Sequence, residues 1–335
     1  MKALPAESSR AMSFRKYTVV TLAMCGLTLA LYLACAFAFI QTSVFVTHSS
    51  NISQIISAYR FSHLKGIDAD ILFVGDSTAV VGVNPEIVEK ITGLSSYNVS
   101  LTVGSFIAVG NILVDNYLKQ NRPPRVIVLY IGPWTTPNRP EDMIHPDDTE
   151  FRLQYPSWEA TFALINFAPR RQLVDYFLHY PRQLEALMRW SAGQFWRGYD
   201  SGPAKQARIT DAIETHRGWI PLATGVAGVP TYRGIPDGCR YPLWAPEPDA
   251  DFIQSFRKRY ETASTKVLVF ISPIPDCDES LAYLRGVYAG LADRLPSPLP
   301  HRYFAYDTPR HNHLIEAGSD VNSAAIGEAI NQFLE

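Results

Sequence analysis

The chain has 335 residues, of which 47% are hydrophobic, and its formal net charge is −2. A chain of this length can bury a sizeable core and form one or two domains. Because it lacks the basic field of a nucleic-acid-binding protein, we expect no nucleic-acid partner.

An apolar segment without charged residues runs from Tyr17 to Ile40. At about 1.5 Å per helical residue it is long enough to cross a hydrocarbon core of about 30 Å. Arg10, Arg15 and Lys16 precede it, so the positive-inside rule keeps the N-terminus in the cytoplasm and exports the rest. The sequence therefore predicts a single-pass protein of the cytoplasmic (inner) membrane with its main domain on the periplasmic side.

Two other interpretations of this segment remain open. A cleaved signal peptide usually has a shorter apolar region, of about 7–15 residues, although a small-residue site does occur at Ala34-Cys35-Ala36. A lipoprotein cysteine at Cys35 is less favoured, because Tyr32 occupies the position where a small aliphatic residue is expected.

The four cysteines divide between the two parts of the chain. Cys25 and Cys35 lie in the predicted anchor, and Cys239 and Cys277 lie in the predicted exported part. A disulfide can persist in an exported domain. The separation of Cys239 and Cys277 permits a bridge between them without requiring one.

The chain divides into four predicted parts. They are a cytoplasmic tail (residues 1–16), the transmembrane anchor (17–40), a stalk (41–67) with a helix near Ile52 to Phe61, and an α/β domain (68–335). An insertion at 135–260 interrupts the domain with loops and an aromatic helical stretch, Trp158–Trp196. Loops this long inside a compact domain are usually lids or binding loops. The aromatic side chains are more typical of packing than of a carbohydrate-binding platform.

Short apolar runs alternate with helical patterns in the predicted α/β domain. The predicted strands are Ile71–Val74, Ser96–Leu101, Val126–Ile131, Lys266–Ile271 and Tyr303–Tyr306, and the predicted helices are residues 84–93, Phe106–Asn121 and Ala324–Leu334. The six apolar residues of Val126–Ile131 indicate a central, fully buried strand. The alternation predicts a parallel sheet with helices on both faces.

The first predicted strand ends at Gly75-Asp76-Ser77. In open α/β sheets, ligand sites lie just outside the carboxyl ends of the strands. A serine hydroxyl placed there can act as a nucleophile if a base and an orienting group lie within reach. Ser77 is therefore the candidate nucleophile, although a polar turn after a buried strand would have the same sequence.

Two of the eight histidines, His311 and His313, follow the last predicted strand directly, and Asp307 precedes them. If the strands are parallel, all three residues lie at the same sheet edge as Ser77. We expect no metal site there, because the two histidines lack further ligands at metal-binding spacing.

Together these residues resemble the SGNH/GDSL hydrolase superfamily. The resemblance rests on Gly75-Asp76-Ser77, a small-residue turn at Gly104, and a closing Asp/His pair before the last helix. With the N-terminal anchor, the sequence is similar to membrane-anchored SGNH-like proteins that act in O-acylation of polysaccharides. The resemblance implies a flavodoxin-like three-layer α/β sandwich built on a parallel sheet.

The resemblance also implies roles for individual residues. Ser77 would be the nucleophile, and the backbone N–H groups of Ser77 and Gly104 would stabilise the oxyanion. His313 would be the base, oriented by Asp307. The family places the aspartate three residues before the histidine, but Arg310 stands there, so His311 remains an alternative base.

A second departure concerns the segment that follows Val126–Ile131. The family supplies an asparagine to the oxyanion hole from a Gly-x-Asn-Asp block, and here Gly132-Pro133-Trp134-Thr135 stands in its place. Trp134 could stack on a sugar ring or pack internally, and Ser272 could contact substrate or shape the site. The resemblance implies a structural role for Asp76.

The resemblance implies an exported serine acyl-transfer enzyme, an O-acetyltransferase acting on a cell-surface or secreted polysaccharide through an acyl group on Ser77. A membrane-bound acyltransferase could supply the acyl donor, and no cofactor is expected. A carbohydrate esterase would use the same residues with water as acceptor. The missing asparagine and displaced aspartate favour a further alternative, a catalytically degenerate subunit that binds polysaccharide in an export complex.

Overall fold

The N-terminal part of the protein is one long apolar helix. The computed structural model describes residues 14–40, 57, 60–101, 103–135, 211–222, 247–305 and 313–335. Helix α1 (Phe14–Ile40) has 27 residues. Its segment Phe14–Tyr32 is long and apolar enough to cross a membrane, and none of it is buried within the protein. Most of the predicted stalk helix lies outside the described residues.

A four-stranded parallel sheet forms the centre of the domain. Its strands are β1 (Ile71–Gly75), β2 (Ser96–Asn98), β3 (Val126–Ile131) and β4 (Lys266–Ile271), in the order β2-β1-β3-β4. The pairs are all parallel, with Ile71 opposite both Ser96 and Val126. The predicted parallel sheet is confirmed, and β3 is buried along its whole length between two neighbours.

The prediction of a fifth strand at Tyr303–Tyr306 is wrong for residues 303–305, the part that the structure describes. Tyr303 ends a 3-10 turn (His301–Tyr303), and Phe304 makes an isolated antiparallel bridge with Leu314. The reason is local: the N–H of Phe304 bonds to His301 and that of Ala305 bonds to His313, so neither joins the parallel sheet. A separate parallel pair is formed by β5 (Ile274–Pro275) and β6 (Pro298–Leu299).

Six further helices have bounds that the structure describes. They are α2 (Ser77–Gly82), α3 (Pro85–Thr92), α4 (Val103–Gln120), α5 (Ala250–Tyr260), α6 (Leu281–Tyr288) and α7 (Glu316–Leu334). As predicted, the side chain of Asn84 caps α3 by accepting from the N–H of Glu86, and Gly93 ends the helix with φ of 70°. Helix α7 begins eight residues before the predicted Ala324, and α5 lies within the range assigned to the insertion.

The helices bury both faces of the sheet. On one face the core side chains come from α4, α5 and α6, namely Leu113, Val114, Tyr117, Ile253, Phe256, Tyr260, Leu284 and Tyr288. On the other face they come from α2, α3 and α7 and the segments between them, namely Ala79, Val83, Val88, Ile326 and Ile330. The sheet is therefore a middle layer, which explains why β1, β3 and the part of β4 after Lys266 are continuously apolar rather than alternating.

Replacing Gly75 with alanine is expected to destabilise the folded protein by about 3 kcal/mol, as overpacking does. The new Cβ would lie 1.7 Å from the carbonyl oxygen of Tyr130 on β3, and paired strands cannot separate without breaking their ladder. Gly286→Ala on α6 is the control, since apart from its chain neighbours and its own helix backbone no described atom lies within 4 Å of its Cβ, and alanine favours a helix over glycine by up to about 1 kcal/mol. Urea unfolding of the full chain in detergent measures both variants. Equal stabilities would contradict the close approach.

Part of the insertion range covers the edge strand β2. Residues 211–222 are described, and the N–H of Asn98 on β2 donates to the carbonyl of Arg217 at 2.9 Å. Gly218 has φ of 89°, and a Cβ there would lie 1.8 Å from the carbonyl oxygen of Asn98. Covered edges do not pair with other chains. This coverage also brings the following residues, 219–222, beside α2.

Candidate active site

Ser77 lies at the carboxyl end of β1, as the first residue of α2. The chain leaves β1 towards β2 on one side, while β3 lies on the other side. In open α/β sheets this reversal of strand order opens a crevice at the carboxyl ends, where ligands bind. The serine therefore stands at the position that the topology favours for chemistry.

His313 is the residue that meets Ser77. Its Nε2 lies 2.9 Å from the Ser77 Oγ, although the two residues are 236 positions apart in the chain. The backbone at His313 and directly after it is held in place, because the carbonyl of His313 accepts from Ala305 and the N–H of Ile315 donates to Tyr303. Both side chains are half-buried. They are thus held together and still reachable by a substrate.

This pair can perform base-assisted nucleophilic attack. A neutral imidazole whose Nε2 accepts from the serine hydroxyl removes the proton as the oxygen attacks. The distance of 2.9 Å lies within the range required for such a transfer. We assign to His313 the neutral tautomer in which Nε2 carries no proton, because Nε2 then accepts from the Ser77 hydroxyl.

Asp76 is fully buried beside Ser77 and accepts hydrogen bonds from two sides. From α2 it accepts from the N–H of Thr78 at 2.7 Å and from the Thr78 hydroxyl at 2.6 Å. From the segment after β3 it accepts from the N–H of Gly132 at 2.7 Å and from the hydroxyl of Thr135. Burial raises the pKa of Asp76, while these hydrogen bonds work in the opposite direction. The carboxylate joins the ends of β1 and β3 and thereby fixes the turn that presents Ser77.

The backbone N–H of Ser77 differs from its neighbours. The N–H groups of Thr78, Ala79 and Val80 all donate to Asp76. Among the residues that the structure describes, the N–H of Ser77 has no acceptor. It can therefore donate to a negatively charged oxygen that forms next to Oγ. Gly104 is the second residue of α4, which begins after β2 at the same sheet edge.

The segment Gly132–Thr135 takes the place of the expected asparagine block. Its peptide and hydroxyl groups bind Asp76, and the carbonyl of Pro133 accepts from the Tyr288 hydroxyl at 2.9 Å. Trp134 is half-buried, and a Cβ on Gly132 would lie 2.8 Å from its ring. The indole therefore packs over Gly132, which leaves part of its surface open.

Ser272 follows β4 and is only 2% exposed. Its N–H donates to Ile131 at 2.8 Å, but its hydroxyl has no hydrogen-bond partner among the described residues. A direct substrate contact would require this hydroxyl to be uncovered. Ser272 therefore lies at the carboxyl edge of the sheet, next to Gly132.

Several predicted residues cannot be placed. Asp307 and His311 lie outside the described residues, so the orienting role of Asp307 and the alternative base His311 remain predictions. Cys277 forms a disulfide, while Cys25 and Cys35 are free. Cys239, its expected partner, also lies outside the described residues.

One cluster of possible metal ligands occurs in the described part of the chain. The ligand atoms of Asp276, Cys277 and His301 lie within 4.8 Å of one another. The sulfur of Cys277 is in a disulfide and is not a thiolate. Asp276 instead accepts from the backbone and Nδ1 of His301, at 3.0 and 2.9 Å. Although burial works to raise it, the hydrogen bonds from His301 hold the pKa of Asp276 below its usual range.

Sequence reasoning missed two features around Ser77. The first is Thr135, whose hydroxyl lies four residues after the buried strand Val126–Ile131 and was a usable signal for a partner of Asp76. Trp219 donates from its indole to the carbonyl of Val81 on α2 at 2.9 Å. Nothing in the sequence indicates this contact, because the Gly- and Pro-rich segment around Trp219 shows neither helical nor strand periodicity.

Comparison with models of known protein families gives no match for this chain. A search of the curated proteins also finds no significant match. The functional interpretation therefore depends on the residues of the chain and on the geometry of this site.

Proposed function

We propose that this protein is an exported, membrane-anchored serine acyl-transfer enzyme of the SGNH/GDSL type. The observation that carries the proposal is the 2.9 Å contact between the Ser77 Oγ and the His313 Nε2. Two half-buried polar side chains from distant parts of the chain meet at the sheet edge favoured for ligands. A nucleophile in contact with a base is the minimal machinery of acyl transfer.

The fold supports the same family. The parallel order β2-β1-β3-β4 is the order in which the first four strands of a flavodoxin-like sheet lie. Helices bury both faces, as they do in a three-layer sandwich. The fold alone would not indicate a function, since one fold hosts many chemistries. It is the pair at the sheet edge that selects acyl transfer.

In the first half of the reaction, the Ser77 Oγ attacks the carbonyl carbon of an acyl ester while His313 takes the hydroxyl proton. The N–H groups of Ser77 and Gly104 donate to the resulting oxyanion, each donor contributing about 3 kcal/mol. When the intermediate collapses, the ester bond to the leaving alcohol breaks and His313 returns the proton to that alcohol. The acyl group is left as an ester on Ser77.

In the second half, His313 removes the proton of an acceptor hydroxyl, which attacks the acyl-serine. The new ester forms, the bond to the Ser77 Oγ breaks, and the proton returns to the serine. A sugar hydroxyl as acceptor gives an O-acetyltransferase, and water gives an esterase. The N-terminal helix favours the transferase, because an inner-membrane anchor would keep the domain beside a membrane-bound acyltransferase that supplies the acyl group and beside a polysaccharide being exported.

The degenerate-subunit alternative rests on the missing asparagine and on the displaced Asp307. The contact between Ser77 and His313 favours an active enzyme over that alternative. The segment Gly132–Thr135 holds Asp76 and offers no side-chain amide to an oxyanion, so the missing asparagine still counts for the degenerate alternative.

The proposal is tested by incubating the full chain in detergent with p-nitrophenyl acetate and mapping acyl adducts by mass spectrometry. We expect an acetyl group on Ser77 that is absent in Ser77→Ala and present in Ser264→Ala, an exposed serine far along the chain. Acetylated oligosaccharide in the presence of a glycan indicates transfer, and release of acetate alone indicates an esterase. If Ser77 stays unmodified while a known serine esterase reacts, the enzyme proposal is wrong.

A further inference from the structure

The helix that carries Ser77 is too short to be stable alone. It has six residues, and isolated helices of this length do not persist in water. The last carbonyls of a helix have no partner within it and need one from elsewhere. In α2 the carbonyl of Ala79 accepts from Asn98, and that of Gly82 accepts from Asn322. The remaining two, Val80 and Val81, are bound by residues from the insertion range.

We propose that residues 219–222 form a positioning strap that holds Ser77 and His313 in register. The N–H of Ile220 donates to the carbonyl of Val80 at 3.0 Å. The indole of Trp219, only 6% exposed, donates to the carbonyl of Val81 at 2.9 Å. The strap thus completes the last turn of the nucleophile's helix. The positioning role rests on the proposed function, since it concerns the same pair.

The other end of the strap binds the helix that follows the base. The N–H of Glu316, the first residue of α7, donates to the carbonyl of Leu222 at 3.2 Å. The residue before it, Ile315, is the N-cap and provides no side-chain hydrogen bond. The carbonyl of Leu222 therefore caps the N-terminus of α7 in place of a side chain, by accepting from a free helix N–H.

The two attachment points lie equally far along the chain from the two residues of the pair. Val80 lies three residues after Ser77, and Glu316 lies three residues after His313. A strap that joins these two points restrains the distance between the elements that carry the oxygen and the nitrogen, in addition to the direct bond from Asn322 of α7 to Gly82 of α2. Displacement of reacting groups by about 1 Å can cost a hundredfold in rate. The insertion range would thus contribute to catalysis without supplying a reacting group.

The base of the strap is itself fixed. The N–H of Gly218 donates to Ala212 at 2.7 Å, and the backbone of Gly218 packs against Asn98 of β2. The neighbouring Arg217 forms an ion pair with Glu89 of α3. Arg217 has φ of 51°, so this turn holds a non-glycine residue in the left-handed region. A strap anchored on β2 and α3 can constrain α2 and α7 instead of moving with them.

Glu316→Pro is the test of the strap. Proline has no N–H, so the hydrogen bond to Leu222 is lost, yet proline fits the first position of a helix. Ile315 already has φ of −72° and ψ of 166°, the extended conformation that a residue before proline requires. Glu316→Ala is the matched control, because it removes the same carboxylate and keeps the N–H. Trp219→Phe is a second variant, which removes the indole donor together with part of a nearly buried ring.

Two measurements on the full chain in detergent are compared. Hydrogen exchange of the α2 amides should be faster in Glu316→Pro and Trp219→Phe than in wild type and Glu316→Ala. Phosphonylation of Ser77 by a fluorophosphonate should be slowed about tenfold in the same two variants, with the loss in the inactivation rate and not in probe affinity. Melting temperatures of Glu316→Pro and Glu316→Ala should agree, which separates positioning from general destabilisation.

The outcomes distinguish the two proposals. If wild type reacts but Glu316→Pro and Glu316→Ala exchange and react alike, the strap is wrong and the acyl-transfer proposal stands. If wild type is not labelled on Ser77, the proposed function is wrong, and with it the positioning role. Exchange that changes without any change in labelling would make the strap a structural contact only.

Discussion

Replacing His313 with glutamine is expected to slow acetylation of Ser77 by about a thousandfold, within the usual contribution of a general base. Glutamine has a similar length and keeps a hydrogen-bonding group near the Ser77 Oγ, but it cannot take a proton at neutral pH. The wild-type rate should rise with pH over the range in which an imidazole loses its proton. The variant should lack this dependence. The rate of p-nitrophenol release between pH 5 and 8 measures both effects.

His63→Gln is the control for this prediction. His63 is exposed and precedes the amino end of β1, whereas Ser77 follows its carboxyl end. We expect the control to keep the wild-type rate and pH profile. If His313→Gln reacted as fast as wild type, another residue would have to act as base. The remaining candidate for the base, from the sequence, would then be His311.

Replacing Asp76 with alanine is expected to lower the free energy of unfolding by about 4 kcal/mol, because buried donors are left without an acceptor. The carboxylate accepts from the N–H and hydroxyl of Thr78, from the N–H of Gly132 and from the hydroxyl of Thr135. Alanine can accept none of these side-chain hydrogen bonds. Urea unfolding of the full chain, followed by tryptophan fluorescence, measures the loss.

Asp249→Ala is the matched control for the same substitution at another helix N-cap. Asp249 caps α5 by accepting from the N–H of Phe252 at 2.9 Å. Its removal should cost about 1 kcal/mol, the usual value of a cap. The difference between the two variants measures what Asp76 contributes beyond capping α2. Equal losses would show that the bonds to Gly132 and Thr135 add nothing.

The stability difference at Asp76 should also depend on pH. Because burial raises the pKa of Asp76, the folded protein keeps this proton to a higher pH than the unfolded chain does. The contribution of Asp76 to stability is therefore largest below about pH 4, where an unfolded aspartate is protonated. It falls as the pH rises towards the raised pKa. The gap between wild type and Asp76→Ala should be wider at pH 4 than at pH 7.

The elements of the sheet were predictable because their signals are local. Val126–Ile131 and residues 267–271 are uninterrupted apolar runs, and the structure gives the predicted bounds to both strands, Val126–Ile131 and Lys266–Ile271. The Asn84-Pro85-Glu86 start and the Gly93 end of α3 follow from capping preferences that act over a few residues. The strand predicted at Tyr303–Tyr306 failed because backbone donors there found partners nearby, which propensity alone does not reveal.

The candidate site was predictable only in part. That Ser77 would stand at a carboxyl strand end follows from the run that precedes it, since parallel strands share one such edge. The choice between His313 and His311 could not be made from spacing, because both follow the same segment. The structure places His313 against Ser77, and the role of Asp307 remains a prediction from the sequence.

Local residue patterns were thus sufficient for the apolar N-terminal helix, the parallel sheet and the edge at which Ser77 lies. The tertiary structure alone decided which side chains meet there. The contact of Ser77 with His313 spans 236 positions, and that of Asp76 with Thr135 spans 59. Such contacts depend on how separate elements pack, so no short-range period or propensity encodes them. The same holds for residues 219–222, whose backbone binds α2 and α7 through groups that every residue possesses.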